Sequence, residues 1–500
     1  MPGLKSLAKD TAIYGLSSIV GRFLNYLLVP LYTATFSAAS GGYGIVTNIY
    51  AITALLLVLL IYGMETGFFR FANKKEENEQ KVYSTILISV GSTSLLFIAL
   101  CFVFLNPISS FFGYVNNPEF IGMMAIVVAL DAFQCIPFAY LRHKKRPIKF
   151  VAIKMLFVLS NILFNYFFLV WCPWLHENFP ETVSWFYDPA YGVGYVFVAN
   201  LICTSLQMFC FIPELRGFRY AFDTVLMKRI LNYSFPILIL GVVGILNQTI
   251  DKIIFPFLFE GSDSDQAHAQ LGIYGAATKI AMIMAMFTQA FRYAYEPFVF
   301  GKNKEKDNRP MYASAMKFFI IFALLAFLAV MFYLDILRYI IKPDYWSGLK
   351  VVPIVMAAEI FMGIYFNLSF WYKLIDQTRW GAYFSIIGCM FIVLLNVVFV
   401  PKYGYMACAW AGFAGYAAIT ALSYFVGQKK YPIKYDLKGI GMYFVLAVLL
   451  YVIADRVEVS ENIIIRLLFR TVLLSVFIAF IIKKDLPLSQ IPFVNRFVKK

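Results

Sequence analysis

Arg292 and Glu296 stand four residues apart in the run FRYAYEPF, with Pro297 directly after them. Four residues make about one helical turn, so the two side chains share a face and can neutralise each other. The proline removes one donor from the backbone ladder beside them. Elsewhere Asn247 precedes Asp251 by one turn, Lys252 follows it, and Glu65 precedes Arg70 by five residues. Arg22, Asp131, Lys279 and Glu359 sit singly in apolar runs. Ionisable groups in such surroundings face a cavity or a partner, a cation there holding an anion and a carboxylate holding a cation or a proton. Catalytic chemistry has little to work with. His143, His176 and His268 are the only histidines and fall between the apolar runs, and no glycine-rich phosphate loop adjoins a basic residue. The seven cysteines lie mostly inside apolar segments without metal-ligand spacing and read as small core residues.

The element that positions these groups is the membrane helix. Of 500 residues, 61% are hydrophobic and 14% charged, and the mean hydropathy is +0.73, against about 45–50% apolar and about 25% charged in soluble domains. Fourteen segments satisfy the length of about 20 apolar residues that a span needs: 11–36, 43–69, 82–105, 119–141, 148–171, 189–212, 230–258, 269–300, 312–337, 351–372, 380–400, 405–427, 439–454 and 463–482. The sequence MPGLKSLAKD precedes the first without a cleavage-site pattern, which predicts an uncleaved span. The expected fold class is an all-α polytopic membrane protein.

Thirty of the 43 Lys and Arg fall in tails and loops on the side of the N-terminus, in stretches such as RFANKKEENEQK and RHKKRPIK, and five fall in the opposite loops. The positive-inside rule makes the basic side cytoplasmic, with both termini there. The net charge of +15 is therefore a topology signal, and nucleic acid is not an expected partner. Eight basic residues remain inside spans. Lys154 and Lys317 lie close enough to a cytoplasmic end to snorkel, whereas Arg22 and Lys279 are deep. Arg466 and Arg470, near the outer end of the last span, suit headgroup or lateral contacts.

The second half of the chain echoes the first. LVPLYTATFSAASGGYGIVTNIYAI aligns with FPFLFEGSDSDQAHAQLGIYGAATKIAMI, matching Tyr43-Gly44 to Tyr274-Gly275, and Glu65 and Glu296 each follow 22 residues later. IVVALDAF matches IVMAAEIF and sets Asp131 against Glu359. Two six-helix lobes related by an axis along the membrane normal follow from this, over 1–228 and 229–435, with a terminal helix pair and tail in 436–500.

The wording of DTAIYGLSSIVGRFLNYLLVPLYTATFS, GGYGIVTNIYAI, YGMETGFFRF and AFRYAYEPF resembles the polysaccharide-repeat-unit flippases of the multidrug/oligosaccharidyl-lipid/polysaccharide (MOP) exporter superfamily. The resemblance covers the whole chain. It implies a V-shaped pair of bundles around a central cavity, and movement of an undecaprenyl-pyrophosphate-linked oligosaccharide from the cytoplasmic to the periplasmic leaflet of a bacterial inner membrane. On that basis Arg22, Lys252, Lys279 and Arg292 become cavity stations for the pyrophosphate, moderated by the acids Glu65 and Glu296, with Glu65 and Arg70 a second acid–base couple, and the Arg292 fork suits a phosphate bidentately. Multidrug exporters of the superfamily place cation-binding carboxylates in the seventh and tenth helices, which implies a Na+ or H+ coupling site at Asp251 and Glu359, with Asn247 beside it and Asp131 as a fourth candidate. No other cofactor is expected.

Rival readings stay open. A multidrug exporter would favour an acidic cavity for cationic drugs, a lipid II flippase would carry another polyprenyl pyrophosphate, and a membrane-embedded polysaccharide-assembly enzyme would need catalytic groups. The chain is expected to work as a monomer in the lipid bilayer and to contact other membrane proteins of polysaccharide assembly.

Overall fold

In a computed structural model, the chain is described over residues 20–21, 24, 26–217, 219–259, 264–302, 308–457 and 460–485, with the side chains at 264, 294 and 296–302 outside that description. The described residues contain helices and no strand, as a bilayer demands of open-ended segments that must satisfy every backbone group internally. The helices are α1 (Leu28–Thr35), α2 (Gly42–Ala72), α3 (Glu79–Val103), α4 (Pro118–His143), α5 (Pro147–Asn178), α6 (Gly194–Phe209), α7 (Thr224–Leu258), α8 (Ser264–Lys302), α9 (Arg309–Phe332), α10 (Pro343–Leu374), α11 (Arg379–Tyr403), α12 (Tyr405–Lys430), α13 (Leu437–Arg456) and α14 (Ile463–Lys484). Twelve of those described are long and apolar enough to cross a membrane, where the sequence reading expects fourteen. The sixteen residues of α6 are shorter, and the first half of the first expected span lies largely outside the described residues.

Proline opens several helices at the first turn, where its missing N–H costs nothing, as at Pro118, Pro147 and Pro343. α2 breaks at Tyr62 and Gly63, whose φ values are 34° and 74°. The glycine adopts that left-handed conformation without penalty, and a side chain there would also meet the Ser234 carbonyl at 2.8 Å.

The chain forms two compact units, Met1–Ala276 with Ile392–Cys408, and Ala277–Phe391 with Ala409–Lys500. Within the first unit, α7 packs along both segments of α2. The core of the first unit gathers Met64, Phe68 and Phe71 from α2, Tyr83 and Ile86 from α3, Ile136 from α4, and Leu226 and Ile230 from α7. Tyr83 stacks on Tyr140 at 4.4 Å. At this end the connections are tied by charge: Lys81–Asp223 and Arg229–Glu77 at 2.6 Å, Lys149–Glu214 at 2.7 Å, and Lys144–Glu79 at 2.8 Å. Asp223 also caps α7 by accepting from the Leu226 N–H at 2.9 Å. The Lys81 bond, then this N–H, hold the Asp223 carboxyl below the usual carboxylate range. Its contribution is present above the ordinary value and lost as pH falls through the lowered one.

In the second unit, α9, α13 and α14 pack together. At one end, the Lys317 ammonium meets Asp436 at 2.8 Å and Asp485 at 2.5 Å. At the other, Arg466 and Arg470 both reach Asp335 at 2.8 Å. Lys317 is thus ion-paired, a stronger arrangement than snorkelling alone. Lys154, in the first unit, places its ammonium over the Phe150 ring at 5.0 Å.

Candidate functional site

α7 carries three of the expected groups. Asn247 and Asp251 are buried one turn apart. The Asp251 carboxylate accepts the Tyr274 hydroxyl at 2.7 Å and the Lys252 ammonium at 3.1 Å on each oxygen. Adjacent residues point about 100° apart on a helix, yet the four-carbon lysine stem curls back far enough for its ammonium to donate also to the Gln248 carbonyl, at 3.2 Å. The Lys252 ammonium and the Asp251 carboxylate thus form an ion pair within α7.

The Lys252 carbonyl opens a second network. Asn48 of α2 donates to it at 2.8 Å, Tyr114 donates to the Asn48 side-chain oxygen at 2.8 Å, and the same hydroxyl lies 3.2 Å from His268 Nε2. His268, expected between spans, lies in the first turns of α8 and is buried. α2 and α8 approach here to backbone contact. A Cβ at Gly44 would stand 1.8 Å from the His268 carbonyl oxygen, one at Gly272 2.9 Å from the Gly44 nitrogen, and one at Gly275 2.5 Å from Thr47 Oγ1. The helix turns that carry the two aligned Tyr-Gly motifs therefore pack on each other. Asn48, Tyr114 and His268 escape a reading of charges and periodicity; the clustered glycines on both helices are the signal that could have found them.

At the other end of the unit, Glu65 pairs with Arg142 of α4 and not with Arg70. Cys135 donates its thiol to the second Glu65 oxygen at 3.1 Å. Arg70 lies over the Tyr233 ring at 4.0 Å. The five-residue spacing points Glu65 and Arg70 apart, whereas the last turn of α4 passes beside Glu65. Arg142, which the sequence sets among the loop residues of the basic side, thus joins this cluster, with its guanidinium 5.0 Å from the Phe69 ring.

Asp131 has different company. Half-buried on α4, it lies near Tyr50 and Thr204. Asn200 links those two, donating to Tyr50 at 3.0 Å and accepting from Thr204 at 3.3 Å. Nearby in the same unit, Tyr32 donates to Asn165 at 3.0 Å and Asn165 to the Asn161 carbonyl at 2.8 Å. The interior between α1, α2, α4, α5 and α6 is thus rich in neutral oxygens around one carboxyl.

In the second unit, Arg292 is exposed and lies over the Phe366 ring at 5.1 Å. Lys279 and Glu359 are half-buried on α8 and α10. Glu296 continues α8, but its side chain lies outside the description, as does the whole of Arg22. Among the described residues no cluster of three or more His, Cys, Asp or Glu could hold a metal ion.

The profile of the polysaccharide biosynthesis protein family matches residues 7–294. The chain belongs to that family. The fold of this polysaccharide biosynthesis family member is similar to the lipid II flippase MurJ in an inward closed conformation, with a TM-score of 0.74 at 16% identity over 94% of this chain and 98% of that one. It is also similar to an inward-facing multidrug resistance MATE family transporter of the MOP superfamily, with a TM-score of 0.63 at 12% identity over 81% and 93%. A MATE transporter in the straight conformation gives 0.55 at 13% identity over 85% and 95%. A search of curated proteins finds no match. The family is one of polysaccharide biosynthesis, and the fold is the one that these flippase and transporter structures have.

Proposed function

We propose that this family member is a flippase that moves an undecaprenyl-pyrophosphate-linked oligosaccharide from the cytoplasmic to the periplasmic leaflet of a bacterial inner membrane by alternating access. The observation that carries the reading is the exposed guanidinium of Arg292 on a membrane helix. Lipid tolerates such a group poorly and water tolerates it well, so the group fits the mouth of a hydrated path for an anion. The family match supports the pathway, and the cation supports an anionic cargo. The test is complementation. The wild-type gene should restore surface polysaccharide to a strain lacking its repeat-unit flippase. Rescue of a lipid II flippase deletion alone, or drug resistance without polysaccharide, would replace this reading.

Coupling to Na+ or H+ fits Asp131 better than Asp251. Asp251 holds the Lys252 ammonium, while Asp131 has hydroxyl and amide oxygens around it and no ion pair among the described residues. Asp131→Asn keeps the shape and removes the titratable charge. It is expected to lower gradient-driven transport in membrane vesicles by about tenfold, the order of one charge-assisted contact, while leaving cargo binding unchanged. Gradient dependence that survives Asp131→Asn rules the residue out.

The charge bias sets the orientation. A cysteine placed at Asn117, in the connection between α3 and α4, should label from the periplasm with an impermeant thiol reagent, and protection there would invert the topology.

A further inference from the structure

α5 is longer than a bilayer requires. Its 32 residues make about 48 Å of helix at 1.5 Å per residue, against a hydrocarbon core of about 30 Å. Counted from Pro147, beside the basic connection, a core of that thickness ends twenty residues on, at Phe167. The exposed stripe of the helix continues past that point. Leu159, Leu163, Tyr166, Val170 and Trp174 follow one another at helical spacing, and all are exposed. The wider π-helical turn at Phe167–Trp171 brings Trp171 onto the same side. After Asn178 the chain turns back through a short helix at Pro180–Val183, and the Phe186 ring lies against Phe167, 6.3 Å away and parallel within 4°. Trp185, 4.8 Å from Phe186, thus returns to the level at which the hydrocarbon ends, with 82% of its surface exposed.

We infer that residues 171–186 form a re-entrant aromatic anchor, and that its partner is the lipid interface itself, the glycerol and upper acyl region of the leaflet at that end of α5. The surface is continuous with the lipid-facing stripe of α5, and tryptophan rings concentrate at this depth of a membrane. The polar groups select lipid over a sugar. The Trp185 indole N–H donates to the Thr182 carbonyl at 3.2 Å, the Thr182 hydroxyl to the Phe179 carbonyl at 2.7 Å, and the Ser184 hydroxyl to the Pro180 carbonyl at 2.6 Å. The side-chain donors beside the exposed ring are thus spent within the segment, as a water-poor layer requires. A sugar platform keeps such donors free for the hydroxyls it recognises. Residues 172–193 contain no Lys or Arg, so apolar contact and not headgroup charge carries the attachment. The exposed acids Glu177 and Glu181 sit at the crest of the hairpin, between its outgoing and returning limbs. The inference is independent of the cargo proposed above.

The experiment reconstitutes the full-length protein into phosphatidylcholine vesicles, with and without bromine on the acyl carbons nearest the glycerol. Tryptophan fluorescence of the wild type minus that of Trp185→Phe isolates the Trp185 signal, and the exposed ring can be replaced without leaving a hole in the core. Brominated lipid should extinguish most of that difference, while aqueous iodide should remove little of it. A Trp185 signal that brominated lipid leaves intact overturns the proposal. So does one that iodide quenches as readily as free tryptophan, which would make the hairpin a water-facing surface open to a sugar or a protein. A second reading avoids the other tryptophans. Trp185→Cys labelled with the polarity-sensitive fluorophore NBD should emit at shorter wavelength in vesicles than Glu177→Cys labelled likewise, and equal emission from the two positions overturns the assigned depth.

Discussion

Arg292→Ala should reduce flipping of the lipid-linked oligosaccharide by about tenfold or more while protein levels stay near normal. A bidentate, charge-assisted contact to phosphate contributes about 1.5–3 kcal/mol, and each 1.4 kcal/mol is about tenfold. The side chain is exposed, so its loss leaves no buried hole to destabilise the fold. Arg292→Lys should recover only part of the rate, because an ammonium keeps the charge and loses the planar fork. Lys154→Ala is the internal control. Its ammonium lies over Phe150 within the first unit, and its removal should change transport little. The measurement is the appearance of polysaccharide at the surface of a complemented deletion strain, with membrane levels of each variant followed by immunoblot. Normal transport by Arg292→Ala would make the arginine structural and remove the anion path from the mechanism.

Gly44→Ala should be the most damaging single methyl in the first unit. The new Cβ would lie 1.8 Å from the His268 carbonyl oxygen, and backbone cannot swing aside as a side chain can. α2 and α8 must separate, stretching the bridge that runs from Asn48 through Tyr114 to His268. Overpacking of this kind costs about 3 kcal/mol or more. Thermal unfolding in detergent should show a large drop for Gly44→Ala. Gly244→Ala and Gly412→Ala, where an added Cβ meets nothing within 4 Å, should be near neutral. Equal melting temperatures for all three would mean that the crossing is not tightly packed in the membrane.

Hydropathy exposes the helices because a bilayer imposes one length and one composition on every span, and the basic loops stand out for the same reason. Partnerships are less visible. Glu65 is nearer Arg70 in the chain, but helix geometry hands it to Arg142, 77 residues away. Backbone direction sends Asp251 and Lys252 apart, and only the reach of the lysine stem brings them together. The polar stretch before His268 has the composition of a loop, yet the first turns of α8 carry the ring into the interior. Which side chain meets which is a property of tertiary packing that no local period encodes.

The Asp251–Lys252 pair also has an electrical meaning. A lone carboxylate carried across the whole membrane field exchanges about 2.3 kcal/mol with it per 100 mV. Asp251 moves with the Lys252 ammonium held 3.1 Å away, so α7 carries a small dipole there in place of a net charge. The membrane potential then does almost no work on that segment of α7 when it shifts. Under the coupling proposed above, Asp131 would carry its charge into the field when ionised and shed it on taking up a proton or cation. On that proposal, voltage dependence of the cycle is expected to originate at Asp131 of α4 and not at the α7 pair.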